Sequence, residues 1–223
     1  MSTIYQGYGQ FSQDVFADQI LEEKRGGFFL DIGAGVSDYS VYQVPLHTMS
    51  NTCALERHRG WNGIAIDYDK DYCEVAKKFR SCSISCTDLL EENINSVLEG
   101  FQAPCKIDYL SLDVDSAQEQ VLRELDFDTY KFSVITYEHN LSVGTSPCGK
   151  VNWVTHQAES RDKFLNLGYN LVFGNVGFTN EEKIEDWWVD DETFAKWGLG
   201  SHDDCRVLTS LEMLNSRYGD MKL

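Results

Sequence analysis

The sequence has no long hydrophobic run. No apolar stretch reaches the roughly 20 residues that a membrane-crossing helix needs, so no membrane partner is expected. Residues 1 to 10 lack the basic and apolar regions of a secretory signal, and a soluble, cytoplasmic protein is the expectation. Positive charge is scarce: 19 Lys and Arg stand against 36 Asp and Glu, a formal net charge of -17. Tracking a phosphate backbone needs clustered cations, so nucleic acid is not an expected partner. The acid excess serves solubility. Zinc-type cysteine spacing is missing too. The seven cysteines are dispersed, only Cys82 and Cys86 are close, and all are expected as thiols in a reducing compartment. Internal repeats and low-complexity stretches are also absent.

What is present is a regular alternation of short apolar runs and amphipathic segments over a length that suits one domain. Residues 13–24 place Val15, Phe16, Ile20 and Leu21 on one helical face, closed by Gly26 and Gly27. Strands are expected at 28–30, 63–67, 81–86, 107–114, 132–137, 169–176 and 186–189. Between them, a short helix opens after Asn51 and ends near Gly60. A second follows Asp69 and buries Tyr72, Cys73, Ala76 and Phe79. A third spans 88–99 with Leu90, Ile94, Val97 and Leu98 as its stripe. A fourth is capped by Ser116 and Glu119, and a fifth covers about 154–167. A last helix is expected near 210–216. Residues 1–27 form a helical lead-in, 141–153 a loop rich in Gly, Ser and Pro, and 190–223 a C-terminal tail. Strand–helix alternation gives an α/β fold with a doubly wound, mostly parallel sheet and helices on both faces.

Ligands bind such sheets beyond the carboxyl ends of the strands. The first strand ends in Asp31, followed by Gly33, Ala34 and Gly35, a turn whose small residues let backbone approach a ligand. A dinucleotide fingerprint wants a third glycine and an acid about 20 residues on. Here Asp38 stands at the third position, and the next strand-end acid, Asp67, comes late. S-adenosylmethionine fits better. Its sulfonium and amino group tolerate an acidic cleft, its ribose diol suits the Asp67 carboxylate, and without phosphates it needs no P-loop lysine. Tyr68, Thr87 and Asp88 complete the expected donor pocket, with Asp88 either a ligand to the adenine or a helix cap. Asp113 reaches either the methionine moiety or the acceptor.

The ordered motifs resemble a family. Gln13-Asp14, Gly27 to Ala34, Ser50-Asn51-Thr52 with Leu55-Glu56, Gly60 to Asp67, Asp108 to Val114, Glu138-His139-Asn140, Gly168-Tyr169 and Glu185 to Val189 are similar to FkbM-type methyltransferases. The resemblance spans nearly the whole chain. It implies a class I methyltransferase (Rossmann-like) fold, S-adenosylmethionine as cofactor, and transfer to a hydroxyl oxygen of a sugar or small metabolite. The chain departs from the family pattern at Asp115-Ser116 and at Asp67-Tyr68.

A hydroxyl acceptor must lose a proton, and His139, just past the fifth strand, is the candidate base. Glu138 either orients it or is itself the base. Asp113, Asp115 and His139 are the residues a divalent cation would use, although no metal is expected. The loop from Leu141 and the Trp187-Trp188 pair either wall a glycan or small-molecule acceptor or pack on the last strand. Two further readings stay open: a methyltransferase-like domain that binds without catalysis, and a nicotinamide-dependent enzyme.

Overall fold

A computed structural model describes residues 8–35, 49–144, 153–179, 181–198 and 200–201. Asp38 and the expected helix near 210–216 lie outside these residues, and of Ser116 only the backbone is described. The seven strands are β1 (Phe28–Ile32), β2 (Asn62–Asp67), β3 (Ser83–Cys86), β4 (Lys106–Leu112), β5 (Lys131–Glu138), β6 (Tyr169–Val176) and β7 (Glu185–Asp190). They form one sheet in the order β3-β2-β1-β4-β5-β7-β6, which is the expected α/β class. The chain divides into two compact units, Met1–Lys131 and Phe132–Leu223.

In the first unit, β1 is the central strand and pairs in parallel with both β2 and β4. β2 pairs in parallel with β3, placing Cys86 opposite Asp67. The strand order reverses between β1 and β4. Right-handed crossovers then put the helices before and after that reversal on opposite faces of these strands. Burial on both faces explains why β1 and β4 read as near-continuous apolar runs: Phe29, Leu30, Ile32, Ile107, Tyr109, Leu110 and Leu112 are all buried.

The helices are α1 (Gln13–Ile20), α2 (Cys53–Arg59), α3 (Lys70–Phe79), α4 (Ile94–Gly100), α5 (Gln118–Glu124), α6 (Trp153–Asn166) and α7 (Asp191–Trp197). α3 starts where Asp69 accepts from the N–H groups of Asp71 and Tyr72. It buries Tyr72, Cys73 and Ala76, but Phe79 is exposed, because the helix ends there and its last turn leaves the apolar stripe.

Other boundaries correct the sequence reading. α4 begins at Ile94 instead of Asp88. Asn93 accepts from Asn95 N–H and takes the cap, while Asp88 to Glu92 form a turn that leaves Leu90 exposed. Before α2, Asn51 does not cap the helix; its amide donates to Ser111 Oγ at 3.0 Å. α5 starts at Gln118 with no side-chain cap, behind a 3-10 turn at Asp115–Ala117. Gln118 instead receives Val114 N–H and donates to Leu112 O.

In the second unit, β7 runs antiparallel between β5 and β6. Trp187 and Trp188 are both fully buried. Adjacent residues on a strand face opposite ways, so both faces of β7 are covered, and the pair packs with Phe173 and Phe164 respectively. Among the described residues, no helix is long and apolar enough to cross a membrane.

Candidate functional site

Three strand ends converge in the first unit. After β1 the chain turns at Gly33 and Ala34, whose N–H groups donate to Ile66 O on β2 at 2.9 and 3.1 Å. On the other side, Asp113 N–H donates to Ile32 O at 2.9 Å. The turn is thus stitched to the ends of both neighbouring strands. Gly33 has φ +84°, and a Cβ there would lie 1.6 Å from the Asp113 carbonyl oxygen. Positive φ and overlap with backbone together make Gly33→Ala costly. Roughly 2–6 kcal/mol of lost stability is expected, read by calorimetry as a fall in Tm of roughly 4–24 °C.

Asp67 closes β2 and is half-buried. Its Oδ2 accepts Gly35 N–H and its Oδ1 accepts Asp69 N–H, each at 2.8 Å. Burial pushes its carboxyl upward, against the N–H groups that favour the charged form. Its carbonyl accepts Thr87 N–H at 2.8 Å, tying it to the end of β3. A Cβ on Gly35 would sit 2.5 Å from Oδ2, so the glycine lets the turn close on this carboxylate. Each carboxylate oxygen has two lone pairs, and the N–H groups of Gly35, Asp69 and Tyr68 do not fill all four. The half-buried Asp113 follows β4 beside Gly33. Gly33, Ala34, Gly35, Asp67 and Asp113 therefore lie together at these strand ends.

The other expected donor residues are placed differently. Asp31 is buried and turns away into a polar network: its Oδ2 accepts Thr52 Oγ1 at 2.6 Å. Arg80 donates to Thr52 Oγ1 at 2.9 Å and to Glu56 Oε2 at 2.7 Å. Glu56 also accepts from Ser81. Burial pushes the Asp31 carboxyl upward, opposed by Thr52 and the Arg80 charge. Burial also opposes the ionised Glu56, but Arg80 outweighs it and holds that carboxyl below its usual range. Tyr68 is 74% exposed. Thr87 is half-buried, with its hydroxyl 2.7 Å from Ser85 Oγ. Asp88 is exposed and accepts Leu90 N–H at 2.9 Å, a local turn cap. Thr87 and Asp88 line a cavity of about 550 Å³ with Cys86, Glu91, Glu92 and Phe101.

Arg80 was not foreseen as part of this site. Its signal in the sequence is a lone cation between an amphipathic helix and an edge strand, which also describes any surface arginine.

In the second unit, Glu138 ends β5 half-buried, opposite Glu185 on β7. His139 is fully buried. Its Nδ1 accepts Leu141 N–H at 3.2 Å. Its Nε2 lies 3.2 Å from Asp186 Oδ1 but out of line for a well-formed hydrogen bond. Asp186 is fully buried and takes both arms of Arg161 at 2.7 and 2.8 Å, together with Asn175 N–H at 2.9 Å. Burial opposes its charge, but Arg161 and His139 outweigh that and hold its carboxyl at about 2. Nearby, His156 Nε2 is 2.6 Å from Tyr137 Oη. Burial, aided by neighbouring His139, pushes the His156 imidazole down to about 4, so the ring is neutral where it meets the tyrosine hydroxyl. Among the described residues no three acids, cysteines or histidines converge as metal ligands.

Fold and site together define a Rossmann-like α/β protein with a glycine turn and a strand-end carboxylate at the carboxyl edge of β1, β2 and β4. Solved structures similar to it include a TehB-like S-adenosylmethionine-dependent methyltransferase from Corynebacterium glutamicum. That match has 14% identity, covers 80% of this chain and 88% of that one, and has a TM-score of 0.45. A putative RNA methyltransferase from Pyrococcus horikoshii is similar at 12% identity over 81% of each chain, TM-score 0.41. The 4+2 cyclase SpnF is similar at 15% identity over 97% of this chain and 77% of that one, TM-score 0.44. No family model matches the chain. No curated protein matches it significantly. Function is therefore argued from the residues of the site.

Proposed function

We propose that the chain is an S-adenosylmethionine-dependent methyltransferase acting on a hydroxyl of a sugar or other small molecule. The observation that carries the reading is the Asp67 carboxylate, anchored by Gly35 and Asp69 N–H groups at the end of β2 with lone pairs to spare. A vicinal diol is the ligand chemistry that such a carboxylate recognises. The tight turn at Gly33 and Gly35 commits its N–H groups to Ile66 and Asp67, which suits a ligand that carries no phosphate. The FkbM-type assignment rests on the ordered motifs of the sequence.

When bound, S-adenosylmethionine supplies a methyl group already activated by its sulfonium. The protein's part is then alignment and exclusion of water, which is orientation catalysis. Asp67 would hold the ribose and Asp113 the amino-acid portion. Asp31, turned inward, would act through Thr52 and Arg80 by fixing the backbone that leads into the turn. On the acceptor side, Glu138 is half-buried while His139 is enclosed, so Glu138 becomes the preferred base and His139 a positioning residue held by Leu141 and Asp186.

A thermal shift tests the donor reading. At about 100 times its dissociation constant, S-adenosylmethionine adds about 2.7 kcal/mol. For a chain of this size that raises Tm by about 5–11 °C. Stabilisation by NAD, with none by S-adenosylmethionine or S-adenosylhomocysteine, rejects the reading in favour of a nicotinamide enzyme.

A further inference from the structure

Two cysteine sulfurs converge on the backbone that carries Asp67. Cys73 Sγ, from the first turn of α3, lies 3.6 Å from the Asp67 carbonyl oxygen. Cys86 Sγ, from the end of β3, lies 4.0 Å from the Tyr68 carbonyl oxygen and 3.9 Å from that of Asp69. Three consecutive carbonyls thus receive two thiols from two different elements. The sheet register explains the meeting, because Cys86 is the partner of Asp67 across β2 and β3. The two side chains are also in contact with each other, and burial together with that contact pushes the Cys73 thiol up to about 12. Cys73 is buried, whereas Cys86 is exposed and opens into the cavity beside β3.

This asymmetry is that of an attacking and a resolving thiol. An exposed sulfur is reached by an oxidant, and a neighbour in contact with it then displaces the adduct; because burial raises the Cys73 thiol, that second step is the slow one. The other buried cysteines of the first unit, Cys53 and Cys82, lie in the field of Arg80 and Glu56 instead.

We propose that Cys73 and Cys86 form a disulfide on exposure to small-molecule disulfides, and that this bond weakens ligand binding at Asp67. The second half rests on the donor reading given above. The step balances as thiol–disulfide exchange. The Cys86 sulfur attacks glutathione disulfide, forming a mixed disulfide and releasing one glutathione. The Cys73 sulfur then attacks the Cys86 sulfur, breaks the mixed disulfide and releases a second glutathione, which takes up the Cys73 proton. Two protein thiols lose two electrons, and one glutathione disulfide gains them.

Closing the bond draws the sulfurs to about 2.05 Å and removes both S–H donors from the carbonyls. The turn at 67–69 then shifts, and with it the Asp69 N–H that holds Oδ1 of Asp67. Donor affinity is expected to fall about tenfold, the order of one lost hydrogen bond.

The test incubates the full chain in glutathione or in glutathione disulfide. It reads the cysteine connectivity by peptide mass mapping and S-adenosylmethionine affinity by calorimetry. The expected result is a Cys73–Cys86 linked peptide, an approximately tenfold weaker affinity and recovery on reduction. In Cys86→Ser, affinity should be the same in both buffers. Cys86 stopping at the mixed disulfide, or pairing with a different cysteine, overturns the pair. A Cys73–Cys86 bond that leaves affinity within about twofold overturns the coupling. Reduced protein that binds no S-adenosylmethionine overturns the donor reading and the coupling, while the peptide map still decides the pair.

Discussion

Replacing Asp67 by alanine is expected to abolish measurable S-adenosylmethionine binding, a loss of at least about 100-fold. Two effects add. The variant removes the acceptor pair proposed for the ribose diol, and hydrogen bonds to a charged group are worth about 1.5–3 kcal/mol. It also strips Gly35 and Asp69 N–H of their partner, so the glycine turn loses its tether to β2. Asp67→Asn separates these contributions. It keeps one carbonyl oxygen for a backbone N–H but presents an amide donor where an acceptor is needed. Its folding should stay close to wild type by circular dichroism while calorimetry still shows binding at least about tenfold weaker. An Asp67→Asn protein that binds as tightly as wild type would remove Asp67 from the donor site.

The second large effect is expected at Asp186. Asp186→Ala removes the buried carboxylate that Arg161 grips with both arms, and breaking such a pair costs about 3–5 kcal/mol. Urea unfolding should show the midpoint falling with little change in slope. The wild-type pH dependence follows from the same group. Its carboxyl is held at about 2 in the folded protein, against 3.8 for an ordinary aspartate. A depressed acid stabilises the fold above its unfolded value and loses that contribution as pH falls through the folded one. Between about pH 5 and pH 1 the protein should lose about 2 kcal/mol through this residue, and the Asp186→Ala variant should lack that step. A variant with the same acid profile as wild type would place the low-pH transition elsewhere.

Much of this architecture is written locally. β1, β2, β4, β5 and β6 announce themselves as short apolar runs, since a strand covered on both faces needs little but Val, Ile, Leu and aromatics. The glycine turn and the strand-end acid Asp67 are also legible. Their roles follow from position at the carboxyl edge, which the strand–helix alternation sets. What was not legible depends on partners distant in sequence. In sequence Asp31 and Asp67 both stand at the close of an apolar run, and nothing near either tells which faces a ligand. Thr52 and Arg80, from two other segments, claim Asp31. His139 follows a strand on the ligand side, but its enclosure comes from Asp186 on a later strand. At Asp88 the competition was local and still ambiguous, because an Asp that can cap a helix can equally cap the turn before it. Asn93 decided the matter. Trp187 and Trp188 read as a possible wall because aromatic faces stack on sugar rings; the contacts with Phe173 and Phe164, which come from other segments, show why neither ring is exposed.

That middle strand has a consequence for how the chain is made. Within the second unit β5 has no strand partner but β7, and β6 meets β5 only through it. During synthesis the edge of β5 that takes β7 therefore emerges well before its partner, and it stays open while α6 and β6 are added. The β6–β7 hairpin is the local event; its insertion against β5 is the slow, non-local one. A ribosome stalled before Glu185 would hold an apolar strand with an open edge, the species that chaperones capture.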